Sequence, residues 1–258
     1  MHAGRHRRVT TRSARRGTVP SVHTSDIEYH HDGTRYVGHL ALPDGEAPAP
    51  GVLVCHEGPG IDDHARNTAV RLADLGFVAF ALDYHGNGER LDFSQVRERL
   101  APLRESAELT RAVGGAGLQV LLDQPRVDRT RVAAIGFCFG GTMALELARD
   151  GRDLQAVVGF HSGLATPRPD DASRITAKVL VCIGADDPMI PPEQRAAFEH
   201  EMRTGGVDWR LNLYGGAVHS FTNPDADRLG VPGIAYHEAT ARRSWAAMLD
   251  LFDEALPR

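Results

Sequence analysis

Val132-Ala-Ala-Ile-Gly136-Phe137-Cys138-Phe139-Gly140-Gly141 carries an apolar run straight into G-x-C-x-G and then into a segment with helical spacing. A short apolar strand that turns sharply into a helix needs small residues two before and two after the turning point, because any larger side chain would collide with the bend. The central side chain is then lifted above the sheet. A thiol there also meets the unpaired N–H groups and the positive end of the helix, both of which favour thiolate. Cys138 is therefore a candidate nucleophile. Cys55 and Cys182 lack flanking glycines and sit inside apolar runs, so they read as structural thiols.

Outward from this stretch, short uniformly apolar runs alternate with helical ones. Strands are expected at 52–55, 78–82, 132–137, 156–160, 179–183 and 210–214. Such runs fit a mostly parallel, doubly wound sheet with helices on both faces. Helices are expected near 65–75, 94–112, 141–149, 192–203 and 239–256, the first with Val70, Leu72 and Leu75 towards one face and Gly76 as its stop. Residues 26–42 alternate apolar and polar around His31-Asp32-Gly33, the pattern of an N-terminal antiparallel hairpin at a sheet edge.

A nucleophile at such a turn requires an acid after a later strand and a histidine after the last one, in that chain order. The run 179–183 is followed by Gly184-Ala185-Asp186-Asp187-Pro188-Met189-Ile190-Pro191, and 210–214 by Gly215-Gly216-Ala217-Val218-His219-Ser220-Phe221. His219 is thus the candidate base, with one of Asp186 and Asp187 to orient it. In this fold the oxyanion is held by the N–H after the nucleophile and another from the first loop, which points to Phe139 and Gly58.

Through G-F-C-F-G-G, G-A-D-D-P-M-I-P and G-G-A-V-H-S-F, the chain resembles the dienelactone hydrolases of the α/β-hydrolase superfamily, from about Val22 onward. The resemblance implies a Cys138, His219, Asp187 triad, since the family's G-x-x-D falls on Gly184 and Asp187; Asp186 is left as a turn or capping residue. It implies that Glu57, directly after the first parallel strand, holds the resting thiol and helps deprotonate it. It also makes Tyr84 a wall or hydrogen-bond donor of the site. The founding family members carry carboxylate-binding arginines where this chain has Gly86 and Asn223. Arg90 is near the first of these but displaced, so the substrate-binding set is read as Tyr84, Arg90 and Asn223. Without those arginines a neutral small ester or lactone is the expected substrate, rather than the carboxylated dienelactone.

With 258 residues and 42% hydrophobic content, one hydrolase domain over 22–258 is expected. Arg5, Arg7, Arg8, Arg12, Arg15 and Arg16 make 1–21 an Arg-rich extension with no apolar stripe, read as disordered. A formal net charge of −5 despite those arginines argues against nucleic acid as a partner, and the apolar runs are too short for a membrane span. Three cysteines without CxxC spacing suggest a reducing cytoplasm. No H-E-x-x-H or similar ligand spacing occurs, so neither metal nor cofactor is expected. The motifs leave open thioester or activated-amide hydrolysis, acyl transfer, a non-catalytic ligand-binding fold, and whether the protein is a monomer or homodimer.

Overall fold

The computed structural model describes residues 22–257. The Arg-rich extension read over 1–21 lies outside these residues. Eight strands form one sheet: β1 (His23–His31), β2 (Thr34–Leu42), β3 (Ala49–Cys55), β4 (Val78–Leu82), β5 (Val127–Phe137), β6 (Ala156–Phe160), β7 (Lys178–Gly184) and β8 (Trp209–Tyr214). Their order across the sheet is β1-β2-β4-β3-β5-β6-β7-β8. β1 pairs antiparallel with β2, and β2 antiparallel with β4; every later pairing is parallel. The hairpin turns on Asp32 and Gly33, both at positive φ (46° and 74°), as a tight two-residue turn demands.

Helices α1 (Asp63–Asp74) and α6 (Glu238–Ala255) pack on one face, where Ala65, Ala69, Leu72, Met248 and Phe252 meet Val52, Val54, Ile135 and Val158. The opposite face carries α2 (Phe93–Glu105), α3 (Ala107–Leu122), α4 (Phe139–Arg149) and α5 (Pro192–Gly205), packed on Leu53, Val132 and Val179. Residues adjacent along a strand thus feed different cores, so apolar side chains are needed at every position of the central strands.

The largest departures from the sequence reading lie in β5 and in the helices before it. β5 begins at Val127, because the polar run Asp128-Arg129-Thr130-Arg131 extends it past a register shift beside Pro50 and Gly51. The helix expected over 94–112 is two helices: Ser106 adopts an extended backbone and its Oγ accepts from the N–H of Leu109 at 3.1 Å, capping α3. α3 then runs on to Leu122, ten residues past the expected end, through Gly114, Gly115 and Gly117. A Cβ on Gly117 would stand 2.7 Å from Leu82 Cβ, so this glycine allows close helix-to-strand approach. In α1 the buried stripe is Ala65, Thr68, Ala69 and Leu72, and Leu75 is exposed.

Behind α4 lies a buried charged network. Arg149 of α4 is fully buried and donates to both carboxylate oxygens of Glu201 on α5 at 2.7 and 3.0 Å, to Glu146 at 2.9 Å and to the carbonyl of Leu164 at 3.0 Å. Glu146 also accepts from Arg111 of α3 at 2.9 Å, which joins three helices. Removing one partner strands the others without water, at a cost of about 3–5 kcal/mol. Arg149→Ala should therefore lower unfolding free energy by about that amount in urea titration; a loss below about 1 kcal/mol would show that the network does not hold α4 in place.

Candidate active site

The bend at Cys138 is strained. Its backbone sits at φ 54°, ψ −122° as the residue capping α4, a region that L-residues occupy only when the surroundings over-determine it. The surroundings do so here. A Cβ on Gly136 would fall 2.1 Å from the Gly140 carbonyl oxygen, and one on Gly140 would fall 2.2 Å from that of Cys55. The N–H of Cys138 is spent on the Phe160 carbonyl at 3.0 Å and on His161 Nδ1 at 3.2 Å.

Cys138 and His219 line two adjoining cavities of about 350 and 220 Å³, which also share Arg104 and Met189. His219 Nδ1 donates to Asp187 Oδ2 at 2.8 Å, and Asp187 Oδ1 accepts from the N–H of Met189, also at 2.8 Å. The other ring nitrogen, Nε2, is buried without a hydrogen-bond partner among the described residues. Burial opposes a charge on this imidazole, but the neighbouring Cys138 sulfur and the Asp187 carboxylate outweigh it and raise its pKa to about 10. Asp186 takes a different role: its Oδ2 accepts from the N–H of Gly216 at 2.9 Å and ties the β7 loop to the β8 loop.

The first loop is pinned from behind. Tyr84 is buried and its hydroxyl donates to the carbonyls of Glu57 at 2.8 Å and His56 at 3.2 Å. His56 Nδ1 also donates to the Glu57 carbonyl at 2.6 Å, and His85 Nε2 to that of Gly58 at 2.7 Å. In a trans peptide the N–H points opposite to the preceding C=O, so fixing the Glu57 carbonyl turns the Gly58 N–H away from Tyr84 and His56. Neither that N–H nor the N–H of Phe139 has a protein acceptor among the described residues. Tyr84 thus serves as a donor to the loop rather than as a wall of either cavity.

Glu57 is buried, and its Oε2 accepts from Asn223 Nδ2 at 2.5 Å. This corrects the reading of Asn223 as a substrate-binding residue, since its amide is occupied by Glu57. Arg90 is corrected too: it is exposed and lines neither cavity, while Gly86 lies under β2, near Thr34. The site is not without cations, however. Arg104 lines both cavities and Arg97 one, from α2, with no carboxylate in ion-pair distance of either among the described residues. Their seven-residue spacing puts them on one helix face, a signal that alignment to the family's arginine positions passes over. His161 was also missed, although it directly follows β6 at the carboxyl end of a parallel strand, where sites in such sheets gather.

A mostly parallel sheet with an elbow thiol, followed in chain order by an aspartate and a histidine that hydrogen-bond each other, defines the α/β-hydrolase class. The chain belongs to the dienelactone hydrolase family, whose model matches residues 37–256, and is a hydrolase of ester or lactone bonds. It is similar to the solved structure m3DLH, with 47% identity, a TM-score of 0.88 and coverage of 91% of this chain and 99% of that one. A dienelactone hydrolase-like promiscuous phosphotriesterase from metagenomic libraries is 43% identical with a TM-score of 0.88, covering 91% of this chain and 98% of its own. A candidate carboxymethylenebutenolidase of Yersinia pestis is 27% identical over 252 residues, 90% of this chain and 89% of that protein.

The raised pKa of His219 carries a sign. Stability from its protonated form is complete below its ordinary value near 6.5 and is lost as pH rises through about 10. Replacing Cys138 by alanine removes the foremost raising neighbour, so the His219 pKa should fall below about 10 in an NMR titration. An unchanged pKa would show that thiol and imidazole are not coupled.

Proposed function

We propose that Cys138 is the nucleophile of a thiol acyl-transfer hydrolysis, with His219 as acid and base and Asp187 as the group that orients it. The thiolate sulfur attacks the acyl carbon of a small ester or lactone, and the carbonyl electron pair moves onto oxygen. The N–H groups of Gly58 and Phe139 receive that oxyanion. Collapse breaks the bond to the leaving oxygen, which takes the proton from His219 Nε2; in a lactone the new hydroxyl stays attached to the acyl group. Water then attacks the thioester with His219 as base, releasing the acid and the thiol. The observation that carries this reading is His219 Nε2, free of protein partners in the cavity it shares with Cys138 while Nδ1 is locked to Asp187.

Substrate breadth follows from what the pocket lacks. With Gly86 buried elsewhere and Asn223 taken by Glu57, no arginine grips a carboxylate as in the founding members, so specificity for the carboxylated dienelactone is not expected. The promiscuous phosphotriesterase among the similar structures supports a tolerant site, and a phosphotriester belongs in any substrate panel. Arg104, exposed at the rim, adds a weak attraction for anionic groups. Free cysteines and a nucleophilic thiol suit a reducing compartment, so the reading places the enzyme in the cytoplasm.

Iodoacetamide tests the nucleophile. Cys55 and Cys182 are buried, and burial pushes both thiols up, that of Cys182 to about 12, so Cys138 should be alkylated first with parallel loss of hydrolysis. Cys138→Ala should lose on the order of 10³-fold or more in kcat on p-nitrophenyl esters and lactones. Hydrolysis that survives complete modification of Cys138 would sink the mechanism.

The rim cation has its own test. Arg104→Ala should lower kcat/KM for a carboxylated lactone by up to about fivefold, the yield of an exposed pair, and leave a neutral lactone unchanged. Equal losses on both would assign Arg104 a structural role.

A further inference from the structure

Glu57 has an unusual setting for a surface-loop carboxylate. Its side chain is 6% exposed, Oε2 is held by Asn223, and Oε1 has no hydrogen-bond partner among the described residues. Two imidazoles stand at 3.8 Å: His161 Nε2 from Oε1, and His64 Nδ1 from Oε2. They are not equivalent. His161 has both nitrogens engaged, Nδ1 with the N–H of Cys138 and Nε2 with Thr222 Oγ1 at 2.8 Å. Its pKa is held well below the ordinary value by burial, then by His219 and His64, so it stays neutral and fixed. His64 Nδ1 is buried with no partner among the described residues, and the side chain is only 10% exposed. Its ring, packed edge-on to Phe137 with centroids 4.4 Å apart, also lines a third cavity of about 330 Å³. That outer cavity shares no lining residue with the two at Cys138. His64 therefore stands between the carboxylate and a separate opening.

We propose that His64 is the proton exit of Glu57, carrying to the outer cavity the proton that Glu57 takes from the Cys138 thiol. The proposal rests on Cys138 as nucleophile and Glu57 as its helper. The thiol proton passes to a Glu57 oxygen, leaving thiolate; His219, protonated at rest with its pKa raised to about 10, keeps its Nε2 proton for the leaving oxygen, and the proton of the product acid later restores the thiol. The proton on Glu57 moves to the lone pair of His64 Nδ1 as the Nε2 proton leaves for water in the outer cavity, so the imidazole ends neutral in its other tautomer and a ring turn resets it. A closing movement of about 1 Å by either side chain brings the 3.8 Å pair to hydrogen-bond distance. The outer cavity is also lined by Arg71, Arg242 and Glu238, polar walls that suit the water to which the proton is delivered. Ester hydrolysis at neutral pH releases one proton per turnover as the product acid ionises, so the exit has a load to carry even while substrate fills the front of the site.

The test is His64→Gln, which keeps a polar group but cannot relay. We expect kcat on a p-nitrophenyl ester to fall about tenfold or more with KM unchanged, and the rate of Cys138 alkylation to fall with it. Imidazole added to the buffer should restore both, as a free relay entering the outer cavity; a merely structural role of His64 would give no such rescue. Ala241→Trp, at the outer cavity's wall, leaves His64 in place and blocks its exit. It should lower kcat similarly without rescue by imidazole. Wild-type kcat and alkylation rate in His64→Gln, a loss there that imidazole does not restore, or wild-type kcat in Ala241→Trp would each overturn the proposal. Full activity of Cys138→Ala would instead overturn the reading of the site on which it stands.

Discussion

The site depends on one backbone conformation, that of Cys138 between β5 and α4. Holding an L-residue at φ 54°, ψ −122° costs about 1–3 kcal/mol, which the rest of the fold must offset. Parallel pairing of β5 with β3 and β6 fixes the strand end, and Arg149, joined to α5, fixes the helix that follows. Two glycines remove the side chains that would collide, and His161 with Phe160 takes up the N–H of the bent residue. Relaxing the bend would withdraw the sulfur from both cavities at once, because they meet at that residue.

Burial then gives three identical thiols different chemistry. Cys55 and Cys182 lie within strands, where desolvation alone raises the cost of ionisation. Cys138 sits at the mouth of a helix beside an imidazole that Asp187 and burial keep in one orientation. The same low-dielectric surroundings make Glu57 consequential. Its side chain is 6% exposed, and one of its oxygens has no hydrogen-bond partner among the described residues.

The central strands were legible because both faces of the sheet are covered, which leaves unbroken apolar runs such as Val78–Leu82. The elbow was legible because its glycines have steric reasons, and His219 and Asp187 because chain order and loop context constrain them. The break at Ser106 was not, since capping competes with helix continuation over a single residue. Arg104 escaped because a rim cation can reach a pocket from any neighbouring helix, so one family position does not fix it. His64 and Asn223 become informative only once α1 and the β8 loop are folded against Glu57, a contact spanning 166 residues in the case of Asn223.

The covalent intermediate offers the most direct test. Wild-type enzyme mixed with a p-nitrophenyl ester, acid-quenched within the first turnover and examined by mass spectrometry, should carry one acyl group, and proteolysis should map it to Cys138. An acyl group on another residue, or a burst of p-nitrophenol with unmodified Cys138, would contradict nucleophilic catalysis by the elbow thiol.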